Sequence, residues 1–479
     1  MIFKLIAMKK RSNITTRREF IAKAGIATAG ITVGATTLSA AGYGRVMGAN
    51  EKIRTGFIGV GNRGSQVLKL FMAEPDCEVA ALCDVYEPYL NRDYSKVEPR
   101  YIQKLANLVP KMDETFPNKV VRYSDYRRLL DDKNIDAVCI ATPDHWHAIM
   151  TIEAIKAGKD VFVEKPLAKT VFEGRSMINA WKMSKQVVTV GLSRRGTNAF
   201  HNLAKEIPAG KIGKVTFANG GYASNMYPGG IGKMKPEEPP KDFNWDMWLG
   251  PKPFRPYQYN IAPYMFRWWE EYDNQIANQG VHFLDLFRWL LNEKAPVSIT
   301  TLGGKKVLDD DRTIPDTMHT IFEFPSGTIL TYSTLEASSG GSMPYGMLEF
   351  RGTKGILYAQ ASGAYKVDPA QRGQFQTWDK LMEAEEFKIE SAGKGRLADG
   401  SYEEPTANLV RNFLDCIKSR KTTLCSLEDG HLSTNMAHLA TISMQVNQRL
   451  QWDPEKEIVT NSEAANKLLH YEYRKPWKL

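Results

Sequence analysis

The chain has 479 residues, of which 43% are apolar and 10% aromatic, a composition typical of a folded globular protein with more than one domain. Its formal net charge is +9, but the first 41 residues hold seven Lys or Arg and a single Glu. Without that segment the charge falls by six to +3, so composition gives no case for a nucleic-acid partner or an anionic membrane surface.

The N-terminus has the pattern of a secretory signal. Thr16-Arg17-Arg18-Glu19-Phe20-Ile21 is a twin-arginine sequence, and the mildly apolar stretch Ala24–Leu38 leads to the small residues Ser39-Ala40-Ala41. We therefore predict that residues 1–41 are a twin-arginine signal peptide and that the protein is periplasmic. The apolar stretch is too short for a stable membrane anchor. The alternative is an amphipathic N-terminal helix.

A glycine-rich turn follows the leader. Three glycines in GxGxxG spacing lie between the apolar run Ile53–Ile58 and the helical pattern Ser65–Met72. In a dinucleotide-binding turn the first glycine permits the tight turn, the second lets a pyrophosphate approach the backbone, and the third lets the helix pack closely on the strand. The N-terminus of the helix attracts the phosphates. The turn residues expected to contact the cofactor are Gly59, Gly61, Asn62, Arg63 and Gly64.

An acidic residue ends the next apolar run. Asp84 follows Val79–Cys83 and lies twenty residues after Gly64. A carboxylate at this position binds the adenosine ribose hydroxyls, which favours NAD over NADP. No Cys-x-x-Cys pair or His/Cys cluster indicates a metal site, so none is expected.

Apolar runs alternate with helical patterns as far as residue 192. The runs are Ile53–Ile58, Val79–Cys83, Val120–Tyr123, Ile135–Ala141, Asp160–Val163 and Val187–Val190. They are typical of a buried parallel sheet, and they predict an α/β protein with an N-terminal Rossmann domain over residues 50–192. Beyond it, longer strands of mixed polarity, beginning with Lys214–Tyr222, predict a C-terminal α/β domain with an open, mostly antiparallel sheet over residues 193–479.

Two motifs follow predicted strands at the edge where such sheets bind ligands. Glu164-Lys165-Pro166 comes directly after Asp160–Val163, and the Lys165 ammonium can stabilise the alkoxide that develops during hydride transfer. The alternative is a Lys–Glu surface pair. Thr142-Pro143 ends the preceding strand, and His147 beyond it either contacts the cofactor or caps the next helix.

A third motif, Asn278-Gln279-Gly280-Val281-His282, continues to Asp285 one helical turn later. His282 is either a packing residue at the start of a helix or a general base, since the pKa of histidine lies near working pH. The spacing alone leaves both readings open.

Together and in this order, the motifs closely resemble the glucose–fructose oxidoreductase / inositol dehydrogenase / rhizopine catabolism family, Gfo/Idh/MocA. The resemblance covers about residues 52–450. It implies that Lys165 is the catalytic lysine and His282 the catalytic acid/base, and that the open sheet is the face of a homodimer or homotetramer. The family often has an aspartate where this chain has Asn278; an amide cannot take a proton, so Asn278 is expected to orient a sugar hydroxyl. The further cofactor contacts expected are Thr142, Pro143, His147, Glu164 and Lys165.

The sequence therefore predicts an exported NAD-dependent oxidoreductase acting on a sugar or glycoside. His282 would remove the hydroxyl proton while Lys165 polarises the oxygen, with Arg195 and Trp248 as further substrate-binding residues. Because twin-arginine export carries folded proteins, the cofactor is expected to stay bound. One alternative is a glycoside-cleaving enzyme that oxidises the ring transiently and eliminates the aglycone; another is a periplasmic sugar-binding protein that keeps its cofactor without turnover.

Overall fold

A six-stranded parallel sheet forms the N-terminal part of the computed structural model, which describes residues 52–341 and 346–479. The predicted signal peptide lies outside these residues. The strand order is β3-β2-β1-β4-β5-β6. The strands are β1 Ile53–Ile58, β2 Cys77–Cys83, β3 Val121–Tyr123, β4 Ala137–Ile140, β5 Asp160–Val163 and β6 Val188–Val190. The order reverses between β1 and β4, so a ligand crevice opens at their carboxyl ends. This is the Rossmann sheet that the sequence predicts.

Helices cover both faces of this sheet. They are α1 Asn62–Met72, α2 Glu87–Asn91, α3 Pro99–Leu105, α4 Tyr126–Asp131, α5 His147–Lys156 and α6 Val171–Lys182. Helix α1 packs through Phe71, whose ring meets Phe57 at 5.3 Å and Phe162 at 5.7 Å between centroids. Helix α6 begins with a capping box between Thr170 and Glu173, which satisfies two free N–H groups of the first turn.

A second sheet of ten strands follows, in the order β14-β13-β12-β11-β7-β10-β9-β8-β17-β18. The strands are β7 Val215–Ala223, β8 Ser298–Gly304, β9 Thr317–Glu323, β10 Ile329–Leu335, β11 Leu348–Gly352, β12 Gly355–Ala359, β13 Tyr365–Pro369, β14 Glu385–Phe387, β17 Leu450–Asp453 and β18 Ile458–Val459, with β15 Ser391–Gly393 and β16 Arg396–Leu397 as a separate hairpin. Strands β7 and β10 pair in parallel, and the other pairings within this sheet are antiparallel. The predicted open, mostly antiparallel sheet is confirmed.

One face of the second sheet is covered by helices. The helices of this part are α7 Asn198–Glu206, α8 Trp245–Leu249, α9 Val281–Leu290, α10 Pro405–Ser419, α11 Leu427–Gln445 and α12 Glu463–Lys467. Phe287 of α9 packs on Phe350 of β11 with ring centroids 5.2 Å apart. The other face leaves Leu302, Ile321 and Ile329 exposed. A π-helical turn, Ile276–Gly280, runs directly into α9.

Helix α10 returns from the C-terminal part to complete the N-terminal core. Phe413 packs against Phe71 and Phe162, and Arg411 binds Asp76 through both terminal nitrogens, at 2.7 and 2.8 Å. The change of sheet near residue 192 is therefore not a break in the core. Within the described ranges, no helix combines the length and apolarity needed to cross a membrane.

Candidate active site

The glycine turn between β1 and α1 has the geometry of a phosphate cradle. Gly59 has φ +84°, and a Cβ there would lie 2.8 Å from the carbonyl oxygen of Ala141. A Cβ on Gly64 would collide with the carbonyl oxygen of Gly59, so α1 packs closely on the turn. At Gly61 a Cβ would meet only Tyr89, at 3.5 Å. The N-terminus of α1 is therefore open toward the cleft, where its free N–H groups attract a phosphate.

Asp84 lies at the end of β2 and lines the same cleft. Its Oδ2 accepts the Val60 N–H at 2.8 Å and its Oδ1 accepts the Tyr86 N–H at 3.0 Å. Burial raises the pKa of Asp84, while these bonds oppose that shift. Each oxygen has a further lone pair, so the carboxylate can still accept hydrogen bonds from a ribose diol. The geometry fits the adenosine half of NAD.

Asp84→Ser is expected to change which dinucleotide binds. Losing charged hydrogen bonds to the ribose costs about 1.5–3 kcal/mol, or roughly 10–100-fold in NADH affinity. Affinity for NADPH should rise relative to NADH, because the variant removes a negative charge facing the 2′-phosphate. Fluorescence titration of both reduced dinucleotides measures this. An unchanged ratio of the two affinities would contradict the placement of the ribose at Asp84.

The cleft brings together most of the residues predicted from sequence. Those that line it are Gly59, Gly61, Asn62, Arg63, Asp84, Thr142, Pro143, Glu164, Lys165, Trp248 and Asn278. They come from the ends of β1, β2, β4 and β5, from the first turn of α1, from α8 and from the π-helical turn. Residues more than a hundred positions apart in sequence thus meet at the switch point of the sheet.

Lys165 lies at the centre of this arrangement. Its Nζ donates to the backbone oxygen of Asn278 at 2.7 Å and to Oδ1 of the same residue at 2.8 Å. Burial lowers the pKa of Lys165, while the nearby Glu164 carboxylate opposes this. Glu164 is itself held by the Arg63 Nε at 2.8 Å. An ammonium has three donors, so one N–H of Lys165 remains for a substrate oxygen.

His282 lies in the first turn of α9, four residues after Asn278. Burial lowers the pKa of its ring well below the usual range, and the charges of Lys165, Arg194 and Arg63 lower it further. Its Nδ1 is buried without a hydrogen-bond partner among the described residues. Both observations favour the uncharged form of the ring. The charge of Lys165 acts on the His282 ring, although His282 is not one of the residues that line the cleft.

Two predicted ligand contacts have structural roles instead. His147 is fully buried, with Nδ1 2.7 Å from the Pro166 carbonyl oxygen and Nε2 2.9 Å from that of Thr142. It braces the ends of β4 and β5 rather than facing the cofactor. The third glycine, Gly64, likewise serves the packing of α1 and does not line the cleft.

Arg195 does not reach the cleft either, contrary to the expectation of substrate binding. Its Nε and Nη2 both donate to the Asp285 carboxylate at 2.8 Å, and its guanidinium lies over the Trp289 ring at 4.5 Å. A buried guanidinium whose planar face is covered by a ring and whose Nε and Nη2 bind a carboxylate is part of the packed framework rather than a sugar contact.

Sequence reasoning missed three charged residues that line the cleft, Asp144, Arg267 and Asp273. Asp144 follows the Thr142-Pro143 turn, so its strand-end position was available as a signal. Arg267 stacks on Tyr264 at 4.1 Å, and Asp273 precedes the π-helical turn; both lie in long loops without a motif. No group of three or more His, Cys, Asp or Glu within the described ranges is arranged to hold a metal.

Family models match most of the described chain. One described as an oxidoreductase family with an NAD-binding Rossmann fold (Gfo/Idh/MocA) matches residues 53–192, and one for its C-terminal alpha/beta domain matches residues 252–451. Two relatives are each described as a glycosyl hydrolase family 109 protein. That from Saccharopolyspora erythraea is 30% identical, over 46% of this chain and 48% of its own length. That from Shewanella pealeana is 36% identical, over 33% of this chain and 35% of its own length. The chain thus spans half or less of these relatives.

Solved structures share the fold. A levoglucosan dehydrogenase in complex with NADH and levoglucosan superimposes with a TM-score of 0.58 at 19% identity, over 84% of this chain and 99% of its own. The aldose-aldose oxidoreductase from Caulobacter crescentus, in complex with glycerol, has a TM-score of 0.57 at 16% identity. The match covers 84% of this chain and 100% of that one. At such identities the likeness establishes the architecture alone.

Proposed function

Since the chain belongs to the Gfo/Idh/MocA oxidoreductase family, we propose that it is an NAD-dependent oxidoreductase acting on a hydroxyl of a sugar or glycoside. The observation that carries the proposal is Lys165 at the carboxyl end of β5. Two of its hydrogen bonds go to Asn278, and its remaining donor is free for a substrate oxygen. A cation in this position stabilises an alkoxide as it forms.

The cleft fits a dinucleotide from one end to the other. Gly61 and the N-terminus of α1 would hold the pyrophosphate and Asp84 the adenosine ribose, while Thr142 and Pro143 line the cleft together with Lys165. When bound, the nicotinamide supplies a hydride acceptor. Lys165 would then hold and polarise the substrate oxygen, and His282, the acid/base that the family resemblance implies, is the candidate acceptor for its proton. Asn278 orients Lys165, and Trp248 lines the cleft next to it.

The test is a panel of sugars and aryl glycosides added to the purified protein. A sugar oxidoreductase will convert its cofactor to the reduced form with the active sugar, which absorbance at the nicotinamide band follows directly. If the protein binds its cofactor but none of these compounds reduces it, and Lys165→Ala changes nothing, the oxidoreductase proposal is wrong. Only the reading as a sugar-binding protein would then remain.

A second candidate is the glycoside-cleaving reaction. It is favoured by the two glycosyl hydrolase family 109 relatives. In that cycle the ring is oxidised, the aglycone is eliminated, water adds, and the ketone is reduced again. Lys165 would therefore bind the same substrate oxygen in the oxidation and again in the final reduction. Release of aglycone from an aryl glycoside without net cofactor reduction would favour this reading over the first.

We propose further that the protein is exported by the twin-arginine route and works in the periplasm as a homo-oligomer. The pattern Arg17-Arg18 supports export, and the uncovered apolar face with Leu302 and Ile321 supports assembly through the open sheet. A free periplasmic NAD pool cannot be relied on, so the cofactor has to be retained. A monomer in light scattering of the purified protein would contradict the assembly.

Replacing Arg17 and Arg18 together by Lys is expected to abolish export. The receptor of this route reads the arginine pair as an address, so the variant should accumulate in the cytoplasm in folded, cofactor-loaded form. Cell fractionation with immunoblotting measures the distribution. Arg11→Lys is the matched control, because it changes an arginine of the same segment outside the pair. Normal periplasmic amounts of the double variant would rule out this route.

A further inference from the structure

Arg267 is a cation of the cleft that the function described so far does not use. It lies in the short helical turn Met265–Trp268 and lines the cleft together with Lys165. Its guanidinium lies 4.1 Å from the centroid of the Tyr264 ring and 4.5 Å from that of the Phe266 ring. The rings attract the cation without using its N–H donors, so they support the group and leave it able to bind a ligand.

The hydrogen bonds of Arg267 leave one edge of the guanidinium unused. Nη1 donates to the backbone oxygen of Tyr264 at 2.7 Å, whereas Nε and Nη2 donate to no acceptor of the described residues. Nε and Nη2 lie on the same edge and present two parallel N–H groups. Such a pair of donors matches the two oxygens of a carboxylate.

Two other arginines of this region are neutralised by carboxylates of the chain. Arg63, which also lines the cleft, binds Glu164 through Nε at 2.8 Å. Arg255 lies over a tryptophan ring at 4.5 Å, and its Nη1 is 3.3 Å from the Glu271 carboxylate. Arg267 has the same kind of aromatic support, but it forms no ion pair with a carboxylate of the described residues. Its charge is therefore available to a ligand.

The turn that carries Arg267 is tied to the turn that holds Lys165. Glu336 is 1% exposed, and its carboxylate accepts the Trp268 Nε1–H at 3.0 Å and a Gln275 Nε2–H at 2.7 Å. Trp268 follows Arg267 directly, and Gln275 leads into the π-helical turn that binds Lys165. One buried carboxylate thus anchors both segments, and the fold sets the position of the guanidinium relative to Lys165.

A neutral sugar in the cleft would leave the charge of Arg267 poorly compensated. Substrate binding removes water from the groups that line a cleft, and a guanidinium without water or a counter-charge is costly. Asp144 and Asp273 also line the cleft, but neither forms an ion pair with Arg267. A carboxylate on the substrate would supply both the counter-charge and two acceptors for the open edge.

We propose that Arg267 binds a carboxylate of the substrate, so that the compound oxidised at Lys165 is a sugar acid or its glycoside. This rests on the proposed function and narrows its substrate class. The carboxylate accepts two parallel hydrogen bonds from Nε and Nη2, while Nη1 keeps its bond to the Tyr264 oxygen. The substrate is then oriented by its carboxylate at Arg267 and by its reacting hydroxyl at Lys165.

Titration calorimetry with the cofactor-loaded full chain tests the site without turnover. Glucuronate, galacturonate and mannuronate, free and as methyl glycosides, are compared with the matching neutral hexoses, their 6-sulfates and the methyl esters of the acids. Wild type should bind one acid about 10–100-fold more tightly than its hexose and its ester, the range for hydrogen bonds between charged groups. Arg267→Met should abolish this preference, and Arg267→Lys should restore only part of it, because an ammonium lacks the paired donors. Arg255→Met is the matched control and should keep the preference.

Turnover separates this site from the proposed function. With the active acid, Arg267→Met should raise KM by the same factor and leave kcat nearly unchanged, because Lys165 still meets the hydroxyl. Equal affinity of wild type for the acids and their neutral counterparts, a preference that Arg267→Met keeps, or tighter binding of a 6-sulfate would overturn the carboxylate site. Oxidation of a neutral sugar would then still stand. Preferential binding of an acid that never reduces the cofactor would instead overturn the proposed function and leave the carboxylate site in place.

Discussion

Lys165→Met is expected to lower turnover by about 10³-fold, the range reported for removing a donor that stabilises developing negative charge or moves a proton. Methionine keeps the length of the side chain and removes the three N–H donors, so the substrate oxygen loses its only cation at that position. Turnover of the active sugar from the panel measures the loss. NADH affinity should change little, because the pyrophosphate and adenosine contacts lie at the other end of the cleft.

Lys159→Met is the matched control for this change. Lys159 immediately precedes β5, and Lys165 follows the other end of the same strand. The Nζ of Lys159 donates to the backbone oxygens of Asp132 at 2.7 Å and Ile135 at 2.8 Å. Its loss should reduce stability without a specific effect on turnover by the folded fraction. Equal losses of turnover per folded molecule in the two variants would contradict the catalytic role of Lys165.

The parts of the site that the sequence predicts are those whose geometry is local. The glycine spacing by itself predicts the turn, because the positive φ at Gly59 favours glycine, although the carbonyl that a Cβ there would meet belongs to the distant Ala141. Lys165 is predictable for a related reason: a residue that ends a strand of a parallel sheet must lie at the edge where ligands bind.

The parts that sequence reasoning placed wrongly depend on distant partners. Arg195 looks like a free cation at a strand end, and only the fold brings Asp285, ninety positions away, against it. His147 lies at the predicted helix start, but one of the two carbonyls that hold it belongs to Pro166, nineteen positions away. Asp273 belongs to no motif, and only the fold brings it to the cleft that Asp144, which follows β4, also lines. Pairings of this kind are a property of packing rather than of a local pattern.

Arg195→Ala is expected to lower the free energy of unfolding by about 3–5 kcal/mol, the cost of leaving a buried charge without its partner. Asp285 is fully buried; Ser433 donates to it at 2.7 Å, and Arg288 lies 3.6 Å away as a weaker partner. Denaturant unfolding followed by tryptophan fluorescence measures the change.

The double variant Arg195→Met with Asp285→Leu separates a structural ion pair from a substrate contact. Replacing both charges by apolar side chains removes the desolvation cost together with the attraction, so much of the lost stability should return. Lys294→Ala is the control, because its bond to Glu455 joins two exposed side chains and should contribute almost nothing. If Arg195→Ala left stability unchanged and raised the KM for the sugar, the guanidinium would have to reach the substrate in solution. Recovery of stability in the double variant, with the sugar KM unchanged, would instead place Arg195 in the framework that holds α9, and with it His282, in position.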